Sequence, residues 1–344
     1  MQKDRLVETP GESAGRDIVE LEEMVVSLDI NSSRERISDA RRRITELEKN
    51  AFPDTGYKAL LAALSGRLFI LEGKQNDAQK QMKNSQALSP GNIQAAVLSV
   101  RLEKDAQKRL AMIDRELAVE AAGELQIERG RSLMEVRRYR EAAAAFDAAF
   151  AAGLSPVYRE TYRDARNRAW ELRDAEAGTG NKTQAIVEKD GVTWTDLIEL
   201  TRGETELLRF LTAGRDWPAA DIFNRLLERS FIPYTQNAAA AEWPDRKPRP
   251  EEDVTRSGAA YYIWHIYAES RADRGLLSRY SSRYASRPNS KSPVADLPLL
   301  SPFFDSILGC VEAEFMSLPD GRNFYPGEKV RGAEMLAVLR KIRL

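Results

Sequence analysis

Residues able to do chemistry are few and scattered along this chain. Its 344 residues include one histidine, His265, and one cysteine, Cys310. A Ser-His-Asp triad or a histidine-rich metal site needs imidazoles at set positions, and a single histidine nearly excludes both. Cys310 sits in the apolar stretch Ile307-Leu-Gly-Cys-Val311, has no partner for an internal disulfide, and reads as a small buried hydrophobe. The adjacent carboxylates Glu22-Glu23 and Glu251-Glu252 lie in polar surroundings with no neighbour that would hold a proton on them. No phosphate-cradling glycine loop or nucleophile elbow is present. An enzyme is therefore not expected, and neither a cofactor nor a metal is called for. A helical glycan-processing enzyme is the catalytic alternative, and it would need two carboxylates roughly 5–9.5 Å apart across a cleft.

Binding chemistry has more candidates. The segment Arg271 to Lys291 carries Arg274, Arg279, Arg283 and Arg287 with Tyr280 and Tyr284 between them, a mixture suited to single-stranded nucleic acid. The chain as a whole is balanced, with 52 Lys+Arg against 53 Asp+Glu, so this short patch is better read as a solvated helix leading to a linker at Pro288-Asn-Ser. Nucleic acid is not an expected partner. Tyr261, Tyr262, Trp264 and Tyr267 share a helix whose aromatic face reads as core.

The elements that must position these residues are helices. From Asp17 to Pro156, alanine, leucine, glutamate and arginine dominate, and prolines fall between apolar-periodic segments. Ile18, Leu21, Met24, Val25 and Leu28 keep helical spacing, as do Ile37, Ala40, Ile44 and Leu47, and Pro53 closes this first hairpin. Two later stretches, 64 residues apart, repeat one pattern. The first runs Gly66-Arg-Leu-Phe69, Gly73, Ala78, Met82, Ser85, Pro90. The second runs Gly130-Arg-Ser-Leu133, Tyr139, Ala142, Phe146, Ala149, Pro156. Gly66, Ala78, Gly130 and Ala142 are small where the two helices of a unit must meet, Phe69 and Met82 are bulky where the next unit must be filled, and Gly73 lies at the turn between helices. Over residues 16–175 the chain resembles a tetratricopeptide-repeat protein, with two clear repeats, a degenerate pair over 93–122 and a terminal helix over 161–172. That resemblance implies an α-α superhelix with a concave face for a protein or peptide partner.

Beyond Gly178-Thr-Gly-Asn181 aromatics and prolines rise and alanine falls. Three similar motifs follow, each leading into an apolar run: Leu200-Thr-Arg-Gly-Glu204, Val254-Thr-Arg-Ser-Gly258 and Val330-Arg-Gly-Ala-Glu334. Each is read as a helix start, with Thr201 as a cap and Glu204 returning the hydrogen bond. Trp217-Pro-Ala-Ala-Asp-Ile222 leads to the second motif through an Ala-rich insertion at 234–244, Asp245 and Pro250. Ala295-Asp-Leu-Pro298 and Phe303-Phe-Asp-Ser-Ile307 lead to the third through Asp320-Gly321, Phe324 and Pro326. Val192-Thr-Trp-Thr-Asp-Leu197 is read as a shortened leading helix for the first. Residues 185–344 thus resemble S-layer homology modules, with Gly258 and Arg331-Gly332 departing from the family pattern.

The resemblance implies a helical domain of about three modules in pseudo-threefold packing, docked to cell-envelope polysaccharide or peptidoglycan. It makes Arg202, Arg256 and Trp217 the candidate ligand contacts, the arginines for anionic substituents and the indole for a sugar ring. Each arginine is equally a solvated first-turn residue, and Trp217 is more simply a core side chain. The expected layout is a tether over 1–15, repeats over 16–175, a linker over 176–184 and the modules over 185–344. No run approaches the roughly 20 apolar residues of a membrane span. The expected role is a non-catalytic envelope or periplasmic scaffold, a lipoprotein candidate whose leader is absent from this sequence. The alternative is a periplasmic or cytoplasmic protein–protein adaptor that binds no carbohydrate.

Overall fold

The computed structural model of the protein describes residues 10–49, 54–173, 181–213, 215–234, 247–286 and 291–342. Pro53, Gly178 to Gly180, Asp245, Pro288, nearly all of the Ala-rich insertion and the first nine residues of the expected tether lie outside the described residues. The described residues are mostly α-helical, and their only extended pairing is two single bridges. The chain divides into two compact units, Met1–Glu176 and Ala177–Leu344.

Unit 1 contains nine helices among the described residues: α1 (Pro10–Ser27), α2 (Arg34–Lys49), α3 (Thr55–Leu71), α4 (Gln75–Leu88), α5 (Ile93–Leu102), α6 (Ala106–Leu117), α7 (Gly123–Glu135), α8 (Tyr139–Ala151) and α9 (Pro156–Leu172). Helix α1 begins inside the stretch expected to be a tether, because a proline is tolerated in a first turn, where its missing N–H has no partner to lose. Asp54, Asn92 and Asp105 cap α3, α5 and α6 by accepting backbone N–H bonds from their first turns.

The 64-residue echo is visible in the backbone. At the end of α3 the N–H groups of Glu72, Gly73 and Lys74 donate to Leu68, Ile70 and Phe69. At the end of α7 those of Val136, Arg137 and Arg138 donate to Ser132, Met134 and Leu133. Gly73 takes φ +76° in this turn, and Arg137 takes the same left-handed conformation at φ +62°. Ala78 and Ala142 are fully buried one turn into the following helices.

The other repeat positions follow expectation only in part. A Cβ on Gly66 would lie 2.2 Å from Leu98 Cδ2, so this glycine admits α5 of the next pair rather than its own partner α4. Gly130 does face its own partner, with the ring of Phe146 2.9 Å from where a Cβ would sit. Phe69 is only half-buried and carries the Arg41 guanidinium of the preceding helix at 4.5 Å from its centroid.

Helices α1, α3, α5, α7 and α9 form an inner row in which each packs on the next, and α1 also packs on α9. The row therefore closes on itself instead of leaving the open concave face expected of a superhelix.

Unit 2 holds α10 (Asn181–Val187), α11 (Trp194–Glu204), the short α12 (Arg209–Thr212), α13 (Ala219–Glu228), α14 (Arg256–Ser270), a 3-10 turn at Arg274–Ser278, α15 (Arg279–Ala285), α16 (Phe304–Glu312) and α17 (Gly332–Lys341). Helix α10 begins inside the expected linker, at Asn181. The centre of the unit is α14, buried nearly all round, as an aromatic core helix should be. Trp264 lies against Gly309 of α16 so closely that a Cβ there would sit 2.2 Å from the indole, and Cys310 is buried beside it. His265 stacks on Tyr261 with centroids 3.7 Å apart, and burial pushes its imidazole down to about 4.

Candidate functional site

Three chain segments meet at one point in unit 2, and each is the residue run just before a helix. The Val192 N–H donates to the Val330 carbonyl at 3.0 Å, the Val254 N–H to Val192 at 2.8 Å, and the Val330 N–H to Val254 at 3.0 Å. The three bonds form a closed cycle, and all three valines are fully buried. A second layer repeats it: Trp194, Arg256 and Gly332 donate their N–H groups to Glu252, Glu328 and Lys189. Pro250 and Pro326, each four residues before its valine, both accept from the helix start of the preceding module, at Thr195 and Ser257. The leading helices follow the same rule. α13 packs on α11, α16 on α14 and α10 on α17.

This geometry moves the first helix start. The expected motif Leu200–Glu204 is the end of α11, where Thr201 is fully buried and donates its hydroxyl back to the Leu197 carbonyl at 2.7 Å. The entry is Val192-Thr193-Trp194, in the stretch expected to form a leading helix. Thr193 accepts from the Asp196 N–H and Asp196 accepts from the Thr193 N–H, a complete capping box. In the second copy Thr255 caps α14 by accepting from Gly258.

The third and fifth positions of the three entries now explain one another. Arg256, at the third position of the second entry, reaches Glu334, at the fifth position of the third entry. Its Nε also donates to the Phe324 carbonyl at 2.8 Å and its Nη2 to Ser317 at 2.9 Å, with the guanidinium 4.7 Å from the Phe324 centroid. Trp194, at the third position of the first entry, lies against the fifth position of the second, where Gly258 leaves room: a Cβ there would be 3.4 Å from the indole. Gly332, at the third position of the third entry, meets the backbone of α10, with the Ile186 carbonyl oxygen 2.0 Å from a Cβ position. The cation that Gly332 cannot supply comes from Lys189, whose ammonium is 2.8 Å from both Asp196 oxygens at the fifth position of the first entry. The third and fifth positions thus pair across the three entries: Arg with Glu, Trp with Gly, and Gly with an acid served by a neighbouring lysine.

The candidate ligand contacts do not form one site. Arg256 is buried, its side chain 6 % exposed, and its donors are directed to internal acceptors, so it is a structural residue rather than a sugar contact. Arg202 lies eight residues along α11 from Trp194, roughly 12 Å away. It bonds Glu199 and Asp216 and donates to the Trp217 carbonyl at 2.7 Å. Trp217 is half-buried and the Arg225 guanidinium covers its ring at 3.9 Å, which occupies the face a pyranose would use. Arg202 lines an open groove, of about 580 Å³, with Thr205, Glu206 and Arg340.

Unit 1 contains a polar cluster that its sequence periodicity does not reveal. It lies where the inner row of helices converges. Arg101 of α5 holds Asp29 through two bonds of 2.9 and 2.7 Å and Glu128 of α7 through Nε at 2.9 Å. Arg67 of α3 donates to Asp29 and Gln94, and the hydroxyl of Tyr162 in α9 also donates to Asp29. Glu22 of α1 accepts from Gln94 at 2.8 Å and from the Tyr158 hydroxyl at 2.7 Å. Burial alone would raise the Asp29 carboxyl, but the charges of Arg101 and Arg67 outweigh it and hold Asp29 far below the usual carboxylate range. Glu128 is lowered in the same way, chiefly by Arg101. The available signal was Gln94 and Arg101, two turns apart on a helix that is otherwise apolar.

No family model matches the chain, and no curated protein or solved structure shows significant similarity to it. Among the described residues no helix is long and apolar enough to cross a membrane.

Proposed function

We propose that the protein is a non-catalytic scaffold of the bacterial cell envelope that works through protein contacts, with the repeat array and the three-module domain as its two binding parts. One observation carries this: the module-entry side chains are spent on each other. The three-way junction supports the S-layer-homology kinship and hence the envelope setting. The burial of Arg256 and the covering of Trp217 favour docking to protein rather than to glycan. Sedimentation with envelope fragments tests the proposal. Retention should be lost when the fragments are treated with protease beforehand, and purified sacculi carrying wall polysaccharide should not retain the chain.

Arg202 supports a second reading, docking to wall polysaccharide or peptidoglycan, because it lines an open groove. On that reading protein-free sacculi retain the chain, and Arg202→Ala reduces retention several-fold. Retention that Arg202→Ala leaves unchanged would count against it.

A further inference from the structure

Helix α1 does not simply continue the stack of unit 1. It spans from α3, the first helix of the first clear repeat, to the terminal helix α9, and so covers the face between them. Most of its apolar stripe is committed, with Met24 left at the surface. Leu21, Val25 and Leu28 pack with α2 and α3, while Val26 joins the cluster built by Tyr158, Tyr162 and Ala169 of α9.

Two acids carry the polar half of the contact. Glu22, and Asp29 just beyond the helix end, are seven residues apart, two helical turns, and both face the inner row. Every polar partner they have there comes from α3, α5 or α9: Arg67, Gln94, Arg101, Tyr158 and Tyr162. Without α1, that face would present two guanidinium groups, an amide and two phenol hydroxyls without Glu22 and Asp29, and of its carboxylates only Glu128 of α7 would remain on Arg101. Arg67 is 3 % exposed, and its Nε has no hydrogen-bond partner even with α1 in place. The face thus has the charge and shape to receive an amphipathic helix bearing two carboxylates beside an aliphatic stripe.

We infer that α1 is an intramolecular ligand in the binding groove of the array, and that the groove's external partner is a helix of the same chemistry which replaces α1. The groove is then closed by its own chain until such a helix arrives, and its affinity for the partner is reduced by the fraction of molecules in which α1 is seated. This rests on unit 1 being a protein-binding array, and it adds which face binds and what it binds.

The test uses the full chain and a fluorescent synthetic peptide of residues 10–30 as the probe. Fluorescence anisotropy compares the wild type with the E22Q/D29N double variant, whose own α1 is less tightly held. The double variant should bind the peptide at least tenfold more tightly than the wild type, and adding Arg101→Ala should abolish the gain. A gain below tenfold, or one that survives Arg101→Ala, overturns the inference. Hydrogen exchange on the wild type is an independent condition that needs no variant. Amides of α1 must exchange through an opening that leaves those of α3 and α5 protected. If α1 exchanges only together with α3 and α5, it is a fixed part of the core and the inference fails. Either failure leaves the envelope-docking experiments unaffected, so the two proposals fall separately.

Discussion

At the scale of single residues, unit 1 depends on one carboxylate. Asp29 accepts bonds from Arg67, Arg101 and Tyr162, which come from three different helices. Because the folded state depresses its pKa, the stability it contributes is fully present above the unfolded value near 4 and is lost as the pH falls through the lower folded value. Protection of the α5 and α9 amides against hydrogen exchange should therefore decline between about pH 4 and pH 2. In Asp29→Asn the protection should be lower already at pH 7, by about 3 kcal/mol, because Arg67 and Arg101 lose a buried counter-charge. The acid-dependent decline should also shrink. An unchanged pH profile in that variant would show that Asp29 is not the titrating group. In unit 2, Arg256 shows how the same residue type can mislead: an arginine at a helix start reads as solvated in sequence, and it is buried here because Phe324, Ser317 and Glu334 surround it.

At the scale of elements, helix content, the hairpin turns after α3 and α7, and the helix starts that follow Val254 and Val330 were all legible, because each is written in local chemistry: caps, left-handed turn residues and apolar spacing. The first entry was misplaced because Leu200-Thr-Arg-Gly-Glu204 has the composition of a helix start while lying in the last turns of α11. The deciding signal was the Thr193–Asp196 capping box, eight residues upstream. The closure of the inner row and the Asp29 cluster were not legible, since their partners lie far apart in the chain and no local rule pairs them. Gly332 makes the reason for one motif departure testable. A methyl group at this position meets the backbone of α10, which cannot step aside as a side chain can. Gly332→Ala should destabilise unit 2 at the upper end of the ~1–3 kcal/mol range for overpacking, read from denaturant unfolding followed by tryptophan fluorescence. A neutral result would mean that α10 does not pack there in solution.

At the scale of the molecule, two compact units each close a cycle: five helices in unit 1, three helix starts in unit 2. The one thiol gives a direct readout of the second cycle. Cys310 is fully buried between α14 and α16, and its burial pushes the thiol well above its ordinary range, so it is neither exposed nor ionised in the folded unit. Labelling by a thiol reagent at pH 8 should be slow in the wild type and at least tenfold faster in Gly332→Ala. Equal rates would separate the thiol's environment from the junction. The ring of valines also has a consequence for synthesis. Its three strands come from the beginning, middle and far part of unit 2, and each bond needs two of them. While the chain emerges from the ribosome, Val192 and Val254 can pair early, but neither has a complete set of partners until Val330 has been made. Unit 1 can be finished while unit 2 is still waiting, and during that interval α11 lacks the cover that α17 later gives it.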